Sequence, residues 1–121
     1  MMKVSFISID DENNKINFST EVTQLDNKYI FIDKTTPNTT IEIEVLGECV
    51  RLTRSGDTTM YMLYDLKNIT SGSYENKEGL EFSFEIKTTK LEIQKTKIRI
   101  DYSMIMDKQV MSSHKLSLLF N

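Results

Sequence analysis

The 121-residue chain contains no alanine and no tryptophan, and it holds one cysteine, one proline, one histidine and four glycines. Each scarcity excludes something. A lone Cys49 leaves no intramolecular disulfide framework, so a reducing cytoplasm is the simplest compartment to expect. A lone His114 rules out a His-rich zinc site. So few glycines, none clustered, leave no phosphate-cradling loop. Charge of one sign is also missing: 15 basic against 18 acidic side chains give a net charge of −3. Such a chain offers no electrostatic footprint for nucleic acid or an anionic membrane. No apolar stretch approaches membrane-spanning length, and Met1-Met2-Lys3-Val4-Ser5-Phe6 lacks a signal-like apolar core. Without alanine, and with thirteen isoleucines and thirteen threonines, the chain is a poor helix former and a strong strand former.

What is present is alternation. Leu80, Phe82, Phe84 and Ile86 share one parity, with Glu81, Ser83, Glu85 and Lys87 between them. The pattern returns as Ile98, Ile100, Tyr102, Met104 and Met106, then as Val110, Leu116, Leu118 and Phe120. A period of two marks half-buried antiparallel strands with one dry face. Earlier in the chain the same reasoning predicts strands over Lys3–Asp10, Ile16–Leu25, Lys28–Asp33, Thr40–Leu46, Cys49–Arg54, Thr58–Leu66 and Ile69–Tyr74. Polar turns separate them at Asp11–Asn14, Asp26-Asn27, Gly47-Glu48, Ser55–Asp57 and Asn76–Gly79, and Pro37 falls in a loop.

The expected fold is all-β: one domain over residues 1–121, a closed antiparallel barrel of about eight to ten strands with mostly up-and-down connections. Two features favour closure. The connections are hairpin-short, and the apolar parity switches from even to odd across Lys87-Thr88-Thr89-Lys90. A one-residue change of phase is what a β-bulge produces, and bulges let a sheet curl onto itself.

Candidate chemistry lies where polar groups occupy the apolar parity. Arg54 follows Val50 and Leu52 on an inward row, Tyr102 stands among Ile98, Ile100, Met104 and Met106, and His114 precedes Leu116. Each also has a packing role open to it, at the rim for Arg54 and in the core for the other two. A buried guanidinium demands a partner. No acidic residue is expected on the neighbouring inward rows, although Asp57 or Asp65 lies within reach in a turn; otherwise a small bound anion such as a carboxylate would serve. Catalytic templates find no support: there is no G-x-S-x-G elbow and no H-E-x-x-H, Cys49 with His114 is an incomplete set, and paired carboxylates such as Glu42/Glu44 lie on the outward parity. No metal site or cofactor is expected, and Asp10-Asp11-Glu12 reads as a charged turn.

The segment Val50-Arg51-Leu52-Thr53-Arg54-Ser55-Gly56, followed by a Met-containing strand, resembles the YwiB-like family of small bacterial calycin β-barrels. So do Tyr74-x4-Gly79 leading into Lys87-Thr88-Thr89, and Ile98-x-Ile100-x-Tyr102 running on to His114. The likeness spans nearly the whole chain, and it departs from the family at Lys115 and at Asp33-Lys34, where relatives often carry Tyr-Glu. The resemblance implies a lipocalin-like architecture in a cytosolic protein without an established function. Three readings follow. In the first, the barrel interior binds a small organic anion or amphipathic ligand through Arg54, Tyr102, Tyr74 and His114. In the second, the barrel is filled by its own side chains and serves as a structural or protein-interaction domain. The third is an enzyme, for which no residues assemble. Pairing into a homodimer is also open.

Overall fold

A computed structural model describes all residues, Met1–Asn121. Every predicted run becomes a strand. They are β1 (Lys3–Asp10), β2 (Lys15–Leu25), β3 (Lys28–Ile32), β4 (Thr40–Leu46), β5 (Cys49–Ser55), β6 (Thr59–Tyr64), β7 (Thr70–Glu75), β8 (Glu81–Gln94), β9 (Lys97–Met106) and β10 (Gln109–Phe120). Each strand pairs antiparallel with its sequence neighbour, and β1 pairs with β10, so the sheet closes into a ten-stranded barrel. No helix is long and apolar enough to cross a membrane. Short reversals suit this winding: Asp107 and Lys108 both take positive φ between the paired residues Met106 and Gln109, the geometry of a type I′ turn.

The expected change of phase is present. The β8–β9 register shifts between Thr88 and Lys90, so Phe84, Ile86 and Thr88 point inward before the bulge and Leu91 after it. A second bulge, between Val110 and Ser112 of β10, corrects the expectation for Val110. The extra residue throws Val110 to the outer face, where it is 62% exposed, while Leu116, Leu118 and Phe120 remain buried. Leu80 and Phe82 also depart from the expected inward row and are exposed. Leu80 precedes β8, and β9 pairs with β8 only from Glu85 onward, so nothing covers Phe82 on that side.

The two ends of the barrel differ. The end bearing the β2–β3, β4–β5 and β8–β9 turns is plugged. There Val4, Val50, Ile98 and Leu118 are fully buried, and Tyr29 stacks on Phe120 with ring centroids 4.3 Å apart. The opposite end is splayed. Lys15–Glu21 of β2 pair with β1, but β3 pairs only with Val22–Leu25, so the first half of β2 has no strand on its other side. Ile16 shows the consequence: it shares the inward parity of Phe18 and Val22, yet it is 43% exposed.

Candidate functional site

The splay opens the barrel mouth onto an interior cavity of about 320 Å³. Its deep wall is apolar, formed by Ile41, Leu52, Met62 and Leu116 with the rings of Tyr64 and Tyr102, while Ser8, Asp10, Asn14, Asp33, Arg54 and His114 ring the entrance. This grading follows from the alternation on β1, β3, β5 and β10, whose inward rows run from apolar residues at the plugged end to Ser8 and Asp10, Asp33, Arg54 and His114 at the mouth.

Arg54 projects from the end of β5 into the mouth, as its parity predicts. The expectation that no acidic residue shares the neighbouring inward rows is corrected. Asp33, next on the row after Tyr29 and Phe31, accepts a hydrogen bond from Arg54 Nε at 2.9 Å and is 5% exposed. Strand β3 ends one residue before it, and the β3–β4 loop turns its carboxylate across the mouth toward β5. Neither Asp57 nor Asp65 is the partner. Arg54 Nη2 also donates to Thr36 Oγ1 at 2.7 Å. Asp33 Oδ1 accepts from the backbone N–H and the hydroxyl of Thr35, at 2.8 and 2.6 Å. Burial raises the Asp33 pKa, but the bonds from Thr35 and Arg54 outweigh it and hold the carboxyl below its ordinary value.

Three of the four residues singled out in the sequence meet at this cavity: Arg54, Tyr102 and His114. Tyr74 does not. It sits on β7, pairs with Met60, and lies against Phe82 at a centroid distance of 6.4 Å, outside the cavity lining. Tyr102 and His114 are cross-strand partners whose rings stack at 5.0 Å. Burial pushes the His114 pKa down, against the opposing pull of Asp10 and Asp11, so the imidazole stays uncharged at neutral pH. Tyr64 lies 4.7 Å from Tyr102 between ring centroids and donates to Met62 Sδ at 3.3 Å. Burial raises the pKa of both tyrosines, which keeps them protonated donors.

Two participants escaped sequence reasoning. Asp33 was visible in principle, because Tyr29, Phe31 and Asp33 continue one parity. Ser112 was equally visible, since it shares the even parity of His114 and Leu116; it lies opposite Met104, and its hydroxyl is 2.8 Å from His114 Nε2. This is a nucleophile–base contact, but nothing completes it. The nearest carboxylate, Asp10, spends its oxygens on the β1–β2 turn, accepting from the N–H groups of Glu12 and Asn14 and from Asn14 Nδ2 at 2.8–3.0 Å.

The comparisons agree with this architecture. The crystal structure of the ywiB protein from Bacillus subtilis superposes with a TM-score of 0.71 at 17% sequence identity, over 99% of this chain and 89% of that one. At that identity the likeness carries the fold alone. No curated protein matches the sequence. A family model described as a domain of unknown function, DUF1934, matches residues 3–118. With nearly every strand of the barrel inside that match, the chain belongs to the DUF1934 family, the YwiB-like barrels.

Proposed function

We propose that this barrel is a cytosolic bacterial binding module that takes up a small amphipathic molecule through its splayed mouth, and that it performs no catalysis. The observation that carries this reading is the graded cavity. About 320 Å³ of interior, apolar at depth and polar at the entrance, lies behind an inward-facing Ile16 that no strand covers. Ligand sites have this composition, and the volume is at the small end of their range. A cytosolic location is supported by the single, half-buried Cys49.

The experiment is native mass spectrometry of the protein purified from its own host, beside a variant in which Leu52→Trp fills the cavity. A co-purifying small molecule bound by the wild type and lost from the variant is the expected result. One observation favours the second reading, a side-chain-filled interaction domain: Arg54 is already neutralised by Asp33 and needs no external partner. Wild-type protein free of any small molecule, and unresponsive to a broad panel of amphiphiles by thermal shift, would establish that reading instead.

A further inference from the structure

We infer that the ligand's polar head is an uncharged hydrogen-bond acceptor, such as an amide, carbonyl or hydroxyl, and not a carboxylate; this inference rests on the binding reading above. The argument begins with the charges at the mouth. Arg54 contributes one positive charge, and Asp33 and Asp10 contribute two negative ones, so the cavity entrance carries a net charge of −1. His114 adds none, since it sits half-buried against Tyr102, Ser112 and β1, an environment that favours its neutral form.

The one cation is held from within. Asp33 takes the Nε of Arg54, and Thr36 takes one Nη2 hydrogen. Asp33 cannot swing aside cheaply, because its other oxygen is fixed by two bonds from Thr35 and the residue is buried. An entering carboxylate would have to displace an intramolecular carboxylate, or lie beside it and Asp10 as a third anion. Either way its desolvation goes uncompensated.

An uncharged acceptor meets no such cost. A guanidinium has five N–H donors and two are occupied here, so three remain on Arg54 for a carbonyl or hydroxyl oxygen. The cavity volume, against about 30 Å³ for one water, corresponds to a ligand of roughly ten non-hydrogen atoms. That is the size of an eight-carbon chain with a small head. A protonated amine is drawn by the net charge but gains nothing from the donor-only Arg54, and the oxygens of Asp33 and Asp10 are already engaged by Arg54, Thr35, Glu12 and Asn14.

The test compares octanamide, 1-octanol, octanoate and octylamine at pH 8 by isothermal titration calorimetry and thermal shift. Octanamide and octanol should bind and raise the melting temperature. Octanoate and octylamine should bind at least tenfold more weakly. Octanoate or octylamine binding as tightly as octanamide overturns the inference and leaves the binding reading standing. If none of the four binds, the binding reading fails and the inference fails with it. Two variants separate charge from shape. Asp33→Asn frees the guanidinium, and Asp10→Asn removes the second anion while its Oδ1 can still accept from the N–H groups of Glu12 and Asn14. Each should improve octanoate relative to octanamide by about tenfold or more. An unchanged ratio in a folded Asp10→Asn variant, together with an unchanged or unmeasurable one for Asp33→Asn, refutes the charge argument.

Discussion

Gly72 and Phe84 face each other across β7 and β8, and together they allow a sharp test of the core. A Cβ on Gly72 would lie 2.5 Å from Phe84 Cε2, 2.8 Å from Cζ and 3.0 Å from Ile86 Cδ1. The Phe84 ring therefore lies directly over the bare glycine backbone, and Ile86 closes the remaining space. Truncating the buried ring with Phe84→Ala should cost about 3–5 kcal/mol, a large share of a small domain's stability. A loss below about 1 kcal/mol would place the ring outside the core, since that falls far under the range for buried aromatics. Gly72→Ala alone overpacks the same space and should cost about 1–3 kcal/mol. The double variant should not cost the sum. With the ring gone, the new methyl enters the vacated volume and the strand regains about 0.5–1 kcal/mol that glycine forfeits. Coupling of about 1–3 kcal/mol is expected, read from urea denaturation midpoints at unchanged m-values. Additivity within about 0.5 kcal/mol, or a Gly72→Ala variant that is neutral by itself, would refute the packing described for this part of the barrel.

Two further outcomes follow from the ionisable groups. The folded Asp33 carboxyl titrates below its unfolded value of about 3.9, so its stabilisation is complete above that pH and disappears as the pH falls through the folded value. Asp33→Asn should therefore cost about 2–3 kcal/mol at pH 7 and flatten the acid limb of a melting-temperature profile; parallel profiles for the two proteins would assign the acid limb to other groups. Cys49 is a half-buried thiol whose pKa is raised by burial and by Asp65, which makes it a poor nucleophile. Reductant should leave stability and sedimentation unchanged and Cys49→Ser should fold normally, whereas a dimer dissociated by reductant would show that Cys49 bridges two copies.

The barrel was legible in the sequence because one physical rule governs nearly all of it. Wherever a strand is covered on both sides, as at Ile98–Tyr102 or Ile41–Val45, parity alone tells inside from outside. The rule weakens where covering is incomplete. Phe82 and Ile16 have inward parity but lack a neighbouring strand, and pairing extent is a tertiary property that alternation does not encode. The two bulges differ in the same way. The one near Thr88 shows in the sequence because apolar residues flank it on both sides, whereas the one at Met111 has the apolar pair Val110-Met111 at the bulge itself, which hides the slip. At the site, the row from Val50 to Arg54 was readable to its end. Its partner was readable only in principle: Asp33 continues the parity of Tyr29 and Phe31, but it lies beyond the last ladder pair of β3, where alternation is a weaker guide to direction.

The pairing of β1 with β10 has a consequence for how the protein is made. Lys3 and Asn121 exchange backbone hydrogen bonds of 2.7 and 3.0 Å, and seven register pairs join the first strand to the last. A chain emerging from the ribosome can zip its hairpins one after another, since each pairs with what precedes it. It cannot seal the ring until β10 has left the exit tunnel. Until then the outer edge of β1 and the free edge of β9 remain open templates, and the apolar faces of Val4 and Phe6 have no roof. The seal joins residues more than a hundred positions apart, so loop-closure entropy opposes it and closure should be the slow step. Such a nascent chain depends on protection for its whole length, and a truncation that removes β10 would leave a curled, sticky sheet in place of a shorter barrel.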